Sequence, residues 1–135
     1  QTCALPICED LLQLAPVQLP LRPLPEAAYC RALWLASAPP PAQAGDQPRV
    51  TLEMQGRWRK QGRNGQWHLT TWLPDARFDA VSGLADSRGE VRIGVTRHLA
   101  AALDGIDLAS APTEALVWHV LHRLTTGATW QVRPP

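Results

Sequence analysis

Residues 49–73 read RVTLEMQGRWRKQGRNGQWHLTTWL, and this stretch decides the fold class of the chain. Apolar and polar residues alternate over residues 49–60, with Val50, Leu52, Met54 and Trp58 in the apolar phase. A period of two residues is typical of a half-buried strand. Residues 61–65, QGRNG, predict a tight turn, in which Asn64–Gly65 supplies residues that tolerate positive φ. Residues 66–73 alternate again, so the stretch as a whole predicts a β-hairpin.

More short elements follow this hairpin. A second pair of strands is predicted over residues 77–85 and 90–96, with Val91, Ile93 and Val95 facing inward. Four successive strands favour an antiparallel meander. A short helix is predicted over residues 97–103, and a longer one from Ser110 to about Leu124, where apolar residues recur at i, i+3 and i+4. Residues 129–132 are predicted to form a last strand.

Proline organises the part of the chain that precedes the hairpin. Nine of the 13 prolines lie in the first 48 residues. Residues 25–38 predict a helix, because their apolar residues recur at helical spacing and Pro25 suits a first turn. The triple proline at 39–41 ends that helix and opens a loop to residue 48. Residues 11–24 are too rich in leucine for a free linker, so we expect them to lie extended across a core.

These elements together predict an α+β fold: an antiparallel four- to five-stranded meander sheet packed against two or three helices, with a Pro-rich extended N-terminal segment. At 135 residues the chain has the length of one domain, which we expect to unite residues 9–48 with the core at 49–135. Residues 1–8 are set apart. The string QTCALPI resembles the translation of a common sequencing adapter, so we expect a non-native leader there.

Composition excludes several classes of protein. No apolar run approaches the ~18 residues of a membrane-spanning helix. A net charge of +1 argues against general electrostatic binding to DNA or to a membrane surface. Three cysteines do not form a dense disulfide framework. We expect no cofactor, and the cytoplasm is the default expectation for location.

The tip of the predicted hairpin is a candidate nucleic-acid interface. Its residues are the basic side chains at 57–63 and one tryptophan predicted to lie on the surface: Arg57, Arg59, Lys60, Arg63 and Trp72. Cationic side chains neutralise phosphates and an indole stacks on an unpaired base. Trp58 and Trp67 are in phase with apolar residues and are predicted to be core. The alternative is a solvated, arginine-tipped turn that prevents edge aggregation.

Candidates for chemistry are fewer. His119 and His122 stand at i, i+3 on the last predicted helix, a spacing at which two imidazoles can share a metal ion. The alternative for this weak metal candidate is a pair of ordinary surface histidines. The sequence has neither a Gly-x-Ser-x-Gly elbow nor a Gly-rich phosphate loop, and its carboxylates lie at turns. The sequence therefore favours a protein that is not an enzyme.

The leucine-rich N-terminal segment is the candidate partner-binding surface. Its residues are Leu12, Leu14, Val17, Leu19 and Leu21. They need to be buried on this domain, on a protein partner or on a missing part of the same chain. Our leading hypothesis is a non-enzymatic binding or assembly domain of a larger bacterial protein or complex. The alternatives are a nucleic-acid-binding module that uses the basic hairpin and a fragment of an enzyme whose site is not recognisable.

Overall fold

The computed structural model describes residues 10–13, 15, 31–39, 49–80 and 92–133. Its described elements are six strands and two helices: β1 (Arg31–Ala36), β2 (Leu52–Lys60), β3 (Arg63–Thr71), β4 (Asp75–Ala80), β5 (Arg92–Thr96), α1 (Leu99–Leu103), α2 (Glu114–Thr126) and β6 (Thr129–Arg133). The strands form three two-stranded antiparallel sheets, which pair β1 with β4, β2 with β3 and β5 with β6. The fold is therefore mixed, as the sequence predicts, but its sheets are smaller.

The hairpin of β2 and β3 confirms the central prediction. The two strands pair in register from Leu52 opposite Thr71 to Lys60 opposite Arg63. The turn lies at the start of the predicted turn segment, where Gln61 and Gly62 take the positive φ values of 50° and 77°. Gly65 of the expected turn instead lies within β3.

Two tryptophan–glycine pairs explain why the glycines belong to the strands. Gly56 lies opposite Trp67 and Gly65 opposite Trp58. A Cβ atom on Gly56 would lie 2.5 Å from Cζ2 of Trp67, and one on Gly65 would lie 2.7 Å from Cε2 of Trp58. Each indole therefore lies against the backbone of a glycine on the neighbouring strand, an arrangement that only a residue without a side chain permits.

The prediction of a helix over residues 25–38 is wrong where the structure describes this segment, because residues 31–36 form the strand β1. β1 pairs with β4 from Arg31 opposite Ala80 to Ala36 opposite Asp75. A short apolar run satisfies helical and strand periodicities alike, and here a strand distant in sequence supplies the pairing.

The predicted single meander is also corrected. β4 pairs with β1 rather than with β5, and β5 pairs with β6 from Thr96 opposite Thr129 to Arg92 opposite Arg133. The expectation that Ile93 faces inward is wrong as well, because 43% of Ile93 is exposed. Residues 81–91, where the predicted second turn falls, lie outside the described residues.

Helix α2 begins and ends at recognisable caps. The hydroxyl of Thr113 accepts a hydrogen bond of 3.2 Å from the backbone N–H of Leu116. Glu114 lies in the first turn, where a carboxylate is favourable to the helix dipole. At the other end, the N–H of Gly127 donates to the carbonyl of Arg123 over 2.9 Å. The helix predicted from Ser110 is therefore present, with a later start.

The described core lies between the β2–β3 hairpin and the two helices. Its buried residues come from the inner face of the hairpin and from facing positions of α1 and α2: Leu52, Leu69, Ala102, Val117, Val120, Leu121 and Leu124. Trp67 is partly buried against this cluster. Among the described residues, no helix is long and apolar enough to span a membrane.

Candidate functional site

The β1–β4 ribbon carries an exposed apolar patch on its outer face. The inner face carries Asp75, Arg77 and Asp79, which are buried or half-buried. The outer face carries Leu33, which pairs with Phe78, and Leu35. These three side chains are 48%, 71% and 58% exposed, respectively. Strands of a half-exposed sheet usually bury their apolar face. Here the inner face combines these charged residues with Trp34, and three large apolar side chains remain exposed on the outer face.

Arg77 fixes the inner face of the ribbon to the end of α2. Its Nη1 donates to the carbonyl oxygens of Thr125 at 3.3 Å, of Ala128 at 2.9 Å, and of Thr126. Its Nε donates to the Asp79 carboxylate over 2.7 Å. The last carbonyls of a helix have no partner within the helix and carry partial negative charge, so a guanidinium satisfies them well.

Asp75 and His122 form a second link between the ribbon and α2. Nδ1 of His122 lies 3.2 Å and 3.3 Å from the two carboxylate oxygens of Asp75, which is buried. The imidazole also stacks on Trp118, with ring centroids 5.1 Å apart and planes 14° from parallel. The Trp118 Nε1–H donates to the carbonyl of Pro74 over 3.4 Å. The carboxylate thus orients the imidazole from one side while Trp118 holds its plane.

This carboxylate–imidazole pair resembles the base half of a catalytic triad in chemistry alone. A nucleophile has to lie within hydrogen-bonding reach of the free ring nitrogen. In the part of the chain that the structure describes, no hydroxyl or thiol is hydrogen-bonded to Nε2 of His122. The pair is thus arranged to fix the helix to the ribbon.

The two histidines proposed as metal ligands have different surroundings. His122 is engaged with Asp75, whereas His119 lies exposed on α2. Across the described ranges there is no group of three or more His, Cys, Asp or Glu side chains placed to hold a metal ion. A water-exposed histidine and a carboxylate-bound one do not provide the several converging ligands that a stable metal centre requires.

A third contact joins the β1–β4 sheet to the β5–β6 sheet. Trp34 of β1 packs edge to face on Trp130 of β6, with centroids 5.7 Å apart. The guanidinium of Arg97 lies 4.2 Å above the Trp34 ring, and its Nη1 donates to the carbonyl of Leu124 over 3.4 Å. The β1–β4 ribbon is therefore held on its inner side by aromatic and charged contacts.

The basic residues proposed for nucleic-acid contact divide between two faces of the hairpin. Lys60 and Arg63 are a cross-strand pair on the same face as Trp58. Arg57 and Arg59 are exposed on the opposite, polar face. Trp72 is 64% exposed, which confirms its predicted surface position. It follows the far end of β3, however, about 30 Å along an extended strand from Arg63.

Lys60 joins the hairpin tip to the loop between the helices. Its Nζ lies 3.0 Å from Oδ2 of Asp107. Oδ1 of Asp107 accepts from the N–H of Ala109 over 3.1 Å. The hydrogen bond from Lys60, followed by that from Ala109, holds the pKa of Asp107 below its ordinary value. The loop is therefore fixed against the end of β2.

Four of the five residues proposed for partner binding lie outside the described residues. Leu14, Val17, Leu19 and Leu21 lie there, so their prediction stays open. Leu12 is described and is 74% exposed. Its neighbour Leu11 is partly buried against the core.

Sequence reasoning missed the anchoring role of Asp75, Arg77 and Asp79, which it assigned to turns or left without a role. A signal was present for two of them, because Arg77 and Asp79 alternate with Phe78 within the strand predicted over residues 77–85. Because charged residues occupy one face of this strand and an aromatic ring the other, the sequence alone does not decide which face turns inward. The partners that decide it, at the end of α2, are about 50 residues away in sequence.

Comparison with known proteins identifies no relative. No protein-family model matches the chain, and no match is found among curated proteins or among solved structures. The geometry of the described residues therefore carries the functional argument.

Proposed function

We propose that this chain is an assembly domain, that its contact surface is the outer face of the β1–β4 ribbon, and that this face pairs with the same face of a second copy. The observation that carries the proposal is the exposure of Leu33, Leu35 and Phe78 on one side of the ribbon. Contiguous apolar patches on a soluble protein mark interaction sites more often than isolated apolar residues do.

The inner face explains why this patch does not turn inward. Rotating the ribbon to bury Phe78 would bring the guanidinium of Arg77 away from the carbonyls of Thr125 and Ala128. It would also separate the buried carboxylate of Asp75 from His122. Breaking buried charged contacts costs several kcal/mol in other proteins. The outward orientation of the leucines is thus supported by contacts on the opposite side.

The size of the patch favours a weak dimer. Covering the exposed parts of these three side chains contributes roughly 3–5 kcal/mol per copy. Two copies contribute about twice that, against roughly 4–15 kcal/mol of lost translational and rotational freedom. Because these two contributions are of similar size, we expect weak association that becomes detectable only at high protein concentration.

The charge distribution suits a second copy. The described outer face carries one charged residue, Arg31, at the end of β1 opposite Ala80. When a two-fold axis runs across the strands, the two Arg31 side chains lie at opposite ends of the interface, so no like charges meet at its centre. Two such ribbons stack about 10 Å apart, as sheets do in sandwiches.

Sedimentation velocity over a range of protein concentrations tests this proposal. We expect the weight-average sedimentation coefficient of the wild-type chain to rise with concentration. Phe78→Glu places a carboxylate in the interface and is expected to weaken the dimer more than tenfold. The fold of this variant should be preserved, because Phe78 is already 71% exposed.

Gln66→Glu is the matched control, because it adds the same charge on the exposed polar face of the β2–β3 hairpin. It should leave the concentration dependence unchanged. A wild-type chain that remains monomeric at millimolar concentration would contradict the proposal. Equal loss in both variants would also contradict it, because net charge rather than the outer face would then govern association.

A further inference from the structure

A cavity of about 300 Å³ lies between the hairpin tip and the loop that connects the helices. The tip supplies Trp58, Lys60, Gln61 and Arg63, and the loop supplies Asp107, Ala109 and Ser110. This volume is at the lower end of the range for sites that bind small molecules. The cavity lies on a different part of the molecule from the β1–β4 ribbon.

Of the described residues that line the cavity, two are cations, Lys60 and Arg63, and one is an acid, Asp107. Lys60 and Asp107 form an ion pair 3.0 Å long, so their charges offset each other. Arg63 lies opposite Lys60 in the register of the hairpin and lines the same cavity. A guanidinium presents five donors in a planar fork, which suits the oxygen atoms of a phosphate. The site therefore favours an anionic group.

An aromatic wall stands beside this cation. The indole of Trp58 lies against the backbone of Gly65, where a Cβ atom would approach within 2.7 Å. The glycine thus holds the ring in place. Trp58 lines the cavity together with Gln61 and Ser110. An indole offers a stacking surface for a flat heterocycle, and the amide of Gln61 and the hydroxyl of Ser110 offer donors and acceptors for its edge.

We infer that this cavity binds one nucleotide unit, with its base against Trp58 and its phosphate on Arg63. The unit comes from a free mononucleotide or from a single-stranded nucleic acid. The charge, the aromatic ring and the volume each fit this ligand, and they converge on one face of one hairpin. Arg57 and Arg59, on the other face, have no part in the site.

Two binding measurements separate the sources of the ligand. Isothermal titration calorimetry with adenosine 5′-monophosphate tests the free nucleotide. Fluorescence anisotropy with a labelled oligothymidylate, at about 50 mM and about 200 mM salt, tests the single strand. The variant is Arg63→Gln, and the matched control is Arg59→Gln, which removes the same charge from the opposite face.

We expect Arg63→Gln to weaken binding of at least one probe about tenfold or more, and Arg59→Gln to leave the affinity for the mononucleotide unchanged. Trp58→Phe, which keeps a smaller ring, should weaken binding less than Arg63→Gln does. Binding of the oligothymidylate alone assigns the site to single strands. Absence of binding of both probes at the lower salt concentration would overturn the inference. Equal weakening by the two arginine variants would overturn it too.

Discussion

The guanidinium of Arg77 donates a hydrogen bond of 2.9 Å to the carbonyl oxygen of Ala128, just beyond the last turn of α2. This bond joins the middle of β4 to the C-terminal end of the helix. It lies on the inner side of a ribbon whose outer side is apolar. The orientation of the ribbon thus anchors its inner side to the helix and leaves its outer side exposed.

Replacing Arg77 tests this anchoring. Arg77→Met removes the hydrogen bonds to three carbonyls and leaves the half-buried Asp79 without its cation. We expect the free energy of unfolding in urea to fall by about 2–4 kcal/mol. Arg59→Met, which removes an exposed arginine from the polar face of the hairpin, should change it by less than about 0.5 kcal/mol. A similar effect of both substitutions would contradict the anchoring role.

The link between Asp75 and His122 predicts energetic coupling. His122→Phe keeps a flat ring beside Trp118 but removes the hydrogen-bonding partner of a buried carboxylate. It should destabilise the fold by about 1–3 kcal/mol. In a double-mutant cycle with Asp75→Ala, the two losses should not add, with a coupling energy of about 1 kcal/mol. Additive losses in urea denaturation would show that the two side chains act independently.

The tryptophan–glycine pairs predict unequal tolerance of alanine. Gly56→Ala brings a Cβ atom within 2.5 Å of the Trp67 ring, so the indole has to move. We expect a loss of about 1–3 kcal/mol in the free energy of unfolding. Gly94→Ala in β5 is the matched control, because the nearest atom to its Cβ is 3.9 Å away. It should be neutral, or stabilising by up to about 1 kcal/mol. Thermal denaturation of both variants gives the order of their stabilities. A Gly94→Ala variant less stable than Gly56→Ala would refute the proposed close packing.

The ion pair at the hairpin tip predicts a change in titration. The hydrogen bond from Lys60 is the largest cause of the lowered pKa of Asp107. Lys60→Met should therefore raise that pKa, as followed by the chemical shift of the Asp107 carboxyl carbon. A carboxyl group whose pKa is lower in the folded state stabilises the fold at pH values above its pKa in the unfolded chain. This contribution is lost as the pH falls. Lys60→Met should reduce this acid-dependent contribution, because the hydrogen bond from Ala109 remains. An unchanged pKa would show that the ion pair does not persist in solution.

The sequence predicts what is local in this fold. Alternation over residues 49–60 and 66–73 identifies the hairpin, and the stripe on α2 identifies the helix, because each signal repeats over several residues. The predicted turn segment at residues 61–65 contains the turn, but Gln61 and Gly62 take the positive φ values, whereas Gly65 lies in β3 against Trp58. Local propensity at one glycine does not reveal which of two backbone roles it fills.

What the sequence does not predict is the pairing of distant strands. The apolar spacing of residues 31–36 fits both a strand and a helix. Their partner strand, β4, begins about 40 residues later in the sequence. The outward-facing leucines follow from that pairing and from Arg77, whose carbonyl partners lie in another element. For the same reason the basic cluster at 57–63 looks like one site in sequence but occupies two faces in three dimensions.

The most direct test of the assembly surface is an isotope-filtered nuclear Overhauser measurement on a mixture of labelled and unlabelled chains. The chain has one phenylalanine, so the ring signals of Phe78 are unambiguous. We predict intermolecular contacts between the Phe78 ring of one copy and the methyl groups of Leu33 or Leu35 of another, growing with protein concentration. A sample that is dimeric by sedimentation but shows no such contacts would contradict the assignment of this face as the interface.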